Sequence, residues 1–133
     1  LSEKTIDELS NIEISDFSDL VRELGKEATK YIKRDKISKN LNTKYIGKDM
    51  YIFNEVMSTN TIAKFLSMNG VGNGAVVISE KQTKARGRSG KNWESPLGGV
   101  WLSIILNPNV TRSKIPLIAL ATGVAVENTI LEE

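Results

Sequence analysis

The chain has 133 residues, 40% of them hydrophobic, and 18 basic against 16 acidic side chains leave a formal net charge of +2. That is one domain's worth of chain with an ordinary core and no global charge excess, so any attraction to anions must be local. Cysteine and histidine are both absent, which excludes disulfides, thiolate zinc sites, Ser-His-Asp and Cys-His catalysis and histidine-held metals.

Residues 1–30 carry eight acidic and four basic side chains, whereas residues 33–48 carry six basic ones and Asp35 alone. The switch sets a boundary near Arg34 and divides the chain into a helical segment, residues 1–36, and a main domain, residues 37–133. Phe17, Leu20, Val21, Leu24, Ala28, Tyr31 and Ile32 recur at three-and-four spacing and form one apolar helical stripe, which Ser15 or Asp16 would cap. A shorter helix is expected over Glu3–Leu9. Such helices must pack on something, either as an extra layer on the main domain or as the remnant of a regulatory or partner-binding module. The acidity of the segment, and the lack of a reading helix and wing, argue against DNA contact.

From Tyr45 the pattern alternates. Met50–Val56 reads as a strand, and Ser58-Thr59-Asn60 as a helix start whose bland reading is a plain N-cap. Ile62, Ala63 and Leu66 follow on one helical face. Asn69–Gly74 is a glycine-rich turn, Ala75–Lys81 a strand, Ser95–Gly99 a second turn and Val100–Leu106 a strand. A helix is expected from about Lys114 to Leu131. It is apolar nearly all round, which predicts a central position. No apolar run is read as reaching transmembrane length and no signal peptide opens the chain, so a cytoplasmic protein without membrane contact is expected. The connection between the last two strands holds no helix, which predicts antiparallel neighbours. The fold class is α+β: a mixed, largely antiparallel sheet with helices on one face and extra N-terminal helices.

Between those strands lies Gln82–Trp93, with four basic residues, two glycines and no acid. Arg86 and Arg88 flank Gly87. Guanidinium forks match carboxylate and phosphate, and glycine lets backbone approach a ligand and move. The spacing fits neither the Walker phosphate loop nor the dinucleotide fingerprint. The residues alone leave a solvated basic turn, an anion lid and a nucleic-acid patch of Lys81, Lys84, Arg86, Arg88 and Lys91 all open. No aromatic interleaves the basic run, which disfavours the last. Trp101, within a strand, reads as a packing residue. Trp93, after the loop, is placed either to pack or to stack on a flat heterocycle.

Taken together, Ser58-Thr59-Asn60, Gln82, Ala85-Arg86-Gly87-Arg88-Ser89-Gly90-Lys91-Asn92-Trp93, Ser95-Pro96-Leu97-Gly98-Gly99 and the strand Val100–Leu106 resemble the first half of the catalytic domain of biotin protein ligase, also called holocarboxylase synthetase. The resemblance covers about Ile37 to Glu133. It implies the catalytic fold shared with class II aminoacyl-tRNA synthetases, incomplete at the C-terminus. It also implies ATP-dependent activation of biotin to biotinyl-5′-adenylate and transfer to one lysine of a biotin carboxyl carrier domain. Biotin and ATP would be substrates, Mg2+ would accompany ATP, and the protein itself would hold no metal. Ser58, Thr59, Asn60 and Gln82 fall where the family contacts biotin. Arg86, Gly87 and Arg88 fall in the loop that closes over biotin and the adenylate phosphate, and Trp93 falls near the adenine.

Two positions depart from the family pattern. Ala85 replaces a glycine, tolerable if its φ is negative, and Lys91 replaces an arginine. The family's Lys-Trp-Pro-Asn-Asp segment, with the main catalytic lysine, and its small β-domain would lie beyond residue 133. Two carboxylates at the end of an apolar helix, Glu132 and Glu133, oppose the macrodipole and agree with a sequence that continues. The chain alone is therefore expected to be inactive. Lipoate ligase or octanoyltransferase, of the same general architecture, is the neighbouring enzyme reading. Nucleic acid is disfavoured as a partner, and room is left for a homodimer.

Overall fold

The computed structural model describes residues 29–131. In chain order the elements are helix α1 (Arg34–Asn40), strand β1 (Met50–Val56), helix α2 (Thr59–Met68), strand β2 (Val76–Gln82), strand β3 (Trp101–Ile104) and helix α3 (Pro116–Leu131). Short 3-10 turns occupy Arg88–Gly90 and Arg112–Lys114.

The sheet has the order β1-β2-β3. β1 runs parallel to β2, with Met50 opposite Val76 and Val56 opposite Gln82. β2 runs antiparallel to β3, with Val76 opposite Ile104 and Ser79 opposite Trp101. The mixed sheet and the antiparallel β2–β3 pair are as expected. The parallel pair needs a crossover, which α2 supplies.

Helix α2 buries Thr59, Ile62, Ala63 and Leu66. They pack with Tyr51, Phe53, Val56, Val77 and Ile105 on one sheet face. Its C-terminus closes in a Schellman motif: Gly70 has φ 84°, its N–H donates to Ser67 O, and the Val71 N–H donates to Leu66 O at 3.0 Å. Val71 then packs on the same core.

Helices on one face only is an expectation that needs correcting. Met50, Ile52, Val76 and Ile78 form a second cluster, against which Ile32, Ile37 of α1 and Ile46 pack. The runs Met50–Phe53 and Val76–Ile78 are apolar at successive positions, so both of their faces demand cover. Helix α1 had no sequence signal beyond Ile37 amid charged residues. It buries none of its residues, and its Arg34 Nη2 donates to Met50 O at 2.7 Å.

The expected helices over Glu3–Leu9 and from Phe17 to Ala28 lie outside the described residues. Where that stripe was to end, at Tyr31 and Ile32, the chain is not helical. The cause is Glu80, which reaches out from β2. Its Oε1 accepts the backbone N–H groups of Tyr31 and Ile32. Glu80 is 2% exposed. Burial would raise its pKa, but the amides of Ile32, Tyr31 and Lys30 and the charge of Lys33 outweigh that and hold it below the usual glutamate range.

Helix α3 contradicts its expected central position. It buries none of its residues, and Leu120 and Ile130 are 67% and 69% exposed. Apolarity predicts that a face must be covered, and among the described residues no element covers it. The stretch Arg112–Leu131, 20 residues with mean hydropathy 1.4, is also long and apolar enough to cross a membrane by length and composition. That corrects the reading that no run reaches such a length.

Candidate functional site

The start of α2, the end of β2 and the middle of β3 converge on one cleft. Ser58 precedes α2 in extended conformation, and its hydroxyl makes no capping hydrogen bond. Ser58 thus holds the N-cap position as read, without the side-chain bond, and the first helical amide is satisfied from another element. Gln82 Oε1, at the end of β2, accepts the Thr59 N–H at 2.8 Å and the Thr59 hydroxyl at 3.2 Å. A carboxamide oxygen at a helix N-terminus supplies the acceptor that free amides there require. The other end of Gln82 is held equally: Nε2 donates to Ser95 Oγ at 2.9 Å, and the Gln82 N–H donates to Ser95 O at 3.0 Å.

Sequence reasoning quoted Ser95 only within a turn motif and Ser103 only within a strand, and gave neither a role in the site. Ser103 Oγ lies 2.9 Å from Thr59 Oγ1 and 2.7 Å from Asn60 Oδ1. Ser58, Thr59, Ser95 and Ser103 are all buried. A buried hydroxyl needs a partner, and that was the available signal: Ser103 shares the alternation of Trp101 and Ile105 rather than that of Leu102 and Ile104.

The basic segment folds into a tight hairpin. Arg86 pairs antiparallel with Asn92, the Gly87 N–H donates to Lys91 O at 2.7 Å, and the Trp93 N–H donates to Ala85 O at 3.0 Å. At its tip Ser89 has φ 58°, alone among the described non-glycine residues in the left-handed region. Ala85 therefore meets the condition of negative φ, and it is buried. Arg86 Nη1 donates to Asn92 Oδ1 at 2.8 Å and to Gly90 O at 3.3 Å. The rest of the guanidinium remains for an anion. Lys81 Nζ lies 2.6 Å from the Glu55 carboxylate, opposite it in the β1–β2 register. This pairing weakens the five-residue nucleic-acid patch at one of its positions.

Ser58, Thr59, Asn60, Gln82, Ala85, Arg86 and Trp93, with Val100–Ser103, line a cleft of about 200 Å³. A broader cleft of about 710 Å³ adjoins it and shares Gln82, Ala85, Arg86 and Trp93. Trp93 is 60% exposed. A Cβ on Gly87 would stand 3.3 Å from the Trp93 ring, so glycine here lets the indole lie close over the loop. Arg88 sits on the exposed 3-10 turn and lines neither cleft. Trp101 packs as expected: Nε1 donates to Pro96 O at 2.9 Å. Its ring lies where a Cβ on Gly99 would come within 2.2 Å, which makes that position glycine by close approach.

Six of the eight residues singled out from sequence thus share one wall system: Ser58, Thr59, Asn60, Gln82, Arg86 and Trp93. Gly87 underlies it and Arg88 stands off. The arrangement offers hydroxyl and amide groups at a helix start, a guanidinium at the mouth and an exposed indole beside it. Such a set can orient a small polar head group and bind an anion next to a flat ring.

The model of the Biotin/lipoate A/B protein ligase family matches residues 52–132. The chain is 33% identical over 114 residues to the bifunctional ligase/repressor BirA of Bacillus subtilis (strain 168), covering 85% of this chain and 34% of that protein. It is 32% identical over 108 residues to its counterpart from Bacillus spizizenii, covering 80% of this chain and 32% of that protein. The chain therefore spans about a third of the length of these curated relatives. An alignment of 114 residues cannot be confined to residues 37–133, so the similarity reaches into the first 36. Among solved structures, biotin protein ligase from Leishmania major in complex with biotinyl-5-AMP superposes with a TM-score of 0.56 at 26% identity, covering 64% of this chain and 35% of that one.

Proposed function

The chain belongs to the biotin/lipoate A/B protein ligase family, and we propose that the protein carrying it activates biotin with ATP and passes it to a lysine of a biotin carboxyl carrier domain. The observation that carries this reading is the meeting of Thr59, Gln82 and Arg86 on one cleft. The similar protein from Leishmania major was crystallised with biotinyl-5-AMP, which favours biotin over lipoate.

In this reading Ser58, Thr59, Asn60 and Gln82 hold the polar ring of biotin. The biotin carboxylate attacks the α-phosphorus of ATP, pyrophosphate leaves, and a mixed anhydride forms. Two anions must approach one another, so Arg86, joined by Arg88 when the loop folds inward, neutralises both and stabilises the charge that develops. Gly87 allows that movement, and the closed loop keeps water from the anhydride. Trp93 is placed to cover the adenine. The carrier lysine then attacks the acyl carbon and AMP leaves. Among the described residues no group of three His, Cys, Asp or Glu side chains gathers to hold a metal ion, so Mg2+ would arrive with the ATP phosphates.

The test is direct. The full-length protein should bind biotin in preference to lipoate and catalyse biotin-dependent exchange of pyrophosphate into ATP. Arg86→Ala should reduce that exchange by about a hundredfold, the usual cost of a lost charge-stabilising donor. Lipoate preference, or biotin binding unaffected by Gln82→Ala, would overturn the assignment.

A further inference from the structure

We propose that Ser103, on β3, is a positioning residue of this cleft: its hydroxyl fixes the direction of a hydrogen-bond chain that sets how Thr59, Asn60 and Gln82 face a ligand. The inference rests on the biotin reading for its ligand and on the geometry for its mechanism.

Ser103 has one proton and two acceptors within reach, Asn60 Oδ1 at 2.7 Å and Thr59 Oγ1 at 2.9 Å. The Thr59 hydroxyl has one proton as well, and it goes to Gln82 Oε1 at 3.2 Å. Gln82 Oε1 also takes the Thr59 N–H at 2.8 Å, so its carboxamide cannot flip without losing two donors. Its Nε2 is thereby turned to Ser95 Oγ at 2.9 Å, with a second N–H in hand. Ser103 imposes the same choice on Asn60: by donating to Oδ1 it turns the NH2 group of Asn60 away from β3. The chain of donors thus starts from the single Ser103 proton, shared between Asn60 Oδ1 and Thr59 Oγ1, and runs on from the Thr59 hydroxyl to Gln82 Oε1 and from Gln82 Nε2 to Ser95. It fixes the orientation of two amide NH2 groups beside one cleft, a pattern suited to a carbonyl oxygen such as that of a cyclic urea.

Ser103 is 8% exposed and comes from a different element than the residues it orients, which lie on α2 and β2. Removing its hydroxyl keeps the Thr59 N–H on Gln82 Oε1 but frees the Thr59 hydroxyl to rotate off Gln82, and it leaves Asn60, an exposed residue, able to turn to water. The loss should therefore fall on ligand recognition more than on stability.

The experiment compares wild type, Ser103→Ala and Ser103→Thr in the full-length protein, by biotin titration calorimetry, thermal melting and the side-chain amide NMR signals of Asn60 and Gln82. Ser103→Ala should weaken biotin binding about tenfold, the worth of a lost buried hydrogen bond. It should shift the Asn60 and Gln82 signals and move the melting point little, and Ser103→Thr should restore binding. Unchanged biotin affinity in Ser103→Ala, or a loss that Ser103→Thr does not restore, overturns the proposal. If wild type binds no biotin, the functional reading fails separately. The NMR signals then decide: shifts at both amides uphold the positioning role, and unmoved signals end it.

Discussion

Gln82 carries more of the site than its chemistry suggests, because both ends of its carboxamide are engaged. Its oxygen serves as the acceptor for the first amide of α2, and its nitrogen ties β2 to Ser95. Gln82→Ala would strand the Thr59 amide and release Ser95 together. We expect a stability loss of about 1–3 kcal/mol, from the penalty of an unsatisfied buried group, measured by urea denaturation. Biotin affinity should fall at least tenfold in the same protein. Gln82→Glu is the informative companion: it keeps an oxygen toward Thr59 but cannot donate to Ser95, so it should recover stability more than binding.

Two elements turn these residues into a device. The first is the Arg86–Asn92 hairpin, whose Arg86 is tied to its own loop and whose Arg88 stands off the cleft. A lid reading requires these contacts to be exchanged for a ligand. Trypsin cleavage after Lys84, Arg86, Arg88 or Lys91 should accordingly slow at least tenfold with biotin and ATP present; equal rates with and without ligand would remove the lid. The second element is β2, which holds Glu80 two residues before Gln82 and through it the backbone of Tyr31 and Ile32. Its depressed pKa means that the folded state favours the carboxylate. The stabilisation is complete above the ordinary glutamate range and is lost as pH falls through it to the folded-state value. The stability advantage of wild type over Glu80→Gln should therefore be constant near neutrality and shrink on acidification below that range. A gap that widens toward low pH would contradict the assignment. Glu80 Oε2, buried and without a hydrogen-bond partner among the described residues, is a cost that the two amides on Oε1 must offset.

At the scale of the molecule the main fact is uncovered apolar surface. Helix α3 buries nothing, and Leu102, Ile104 and Leu106 on and beside β3 are also exposed. The family model runs through residue 132 and so includes α3 in the domain, which favours a packed helix over a membrane span. The 133-residue chain by itself should bind the dye ANS strongly and self-associate at micromolar concentration. Leu120→Lys with Ile130→Lys should suppress both without disturbing the β1–β2–β3 core, because α3 contributes nothing to it. Dye binding at the level of an ordinary globular domain would show that α3 is covered in solution.

Local chemistry alone located most of the parts. Alternating and three-and-four apolar spacing placed β1 and β2 within a residue or so and located the start and buried face of α2, since those segments bury a face within a few residues of chain. The absence of cysteine and histidine confined the chemistry, and the order of Ser58-Thr59-Asn60, Gln82 and the Arg-Gly-Arg loop carried the family. Tertiary structure decided what depends on distant partners. Helix α1 exists because Ile37 meets the second face of the sheet. Tyr31 and Ile32, read from sequence as helical, are instead non-helical and in contact with a glutamate 48 residues beyond Ile32, which takes their amides. Ser103 joins the site because β3 lies beside β2, bringing its hydroxyl to a helix 43 residues earlier. A hydrogen-bond partner far along the chain leaves no periodic trace in sequence, and an apolar helix states that it must be covered without stating by what.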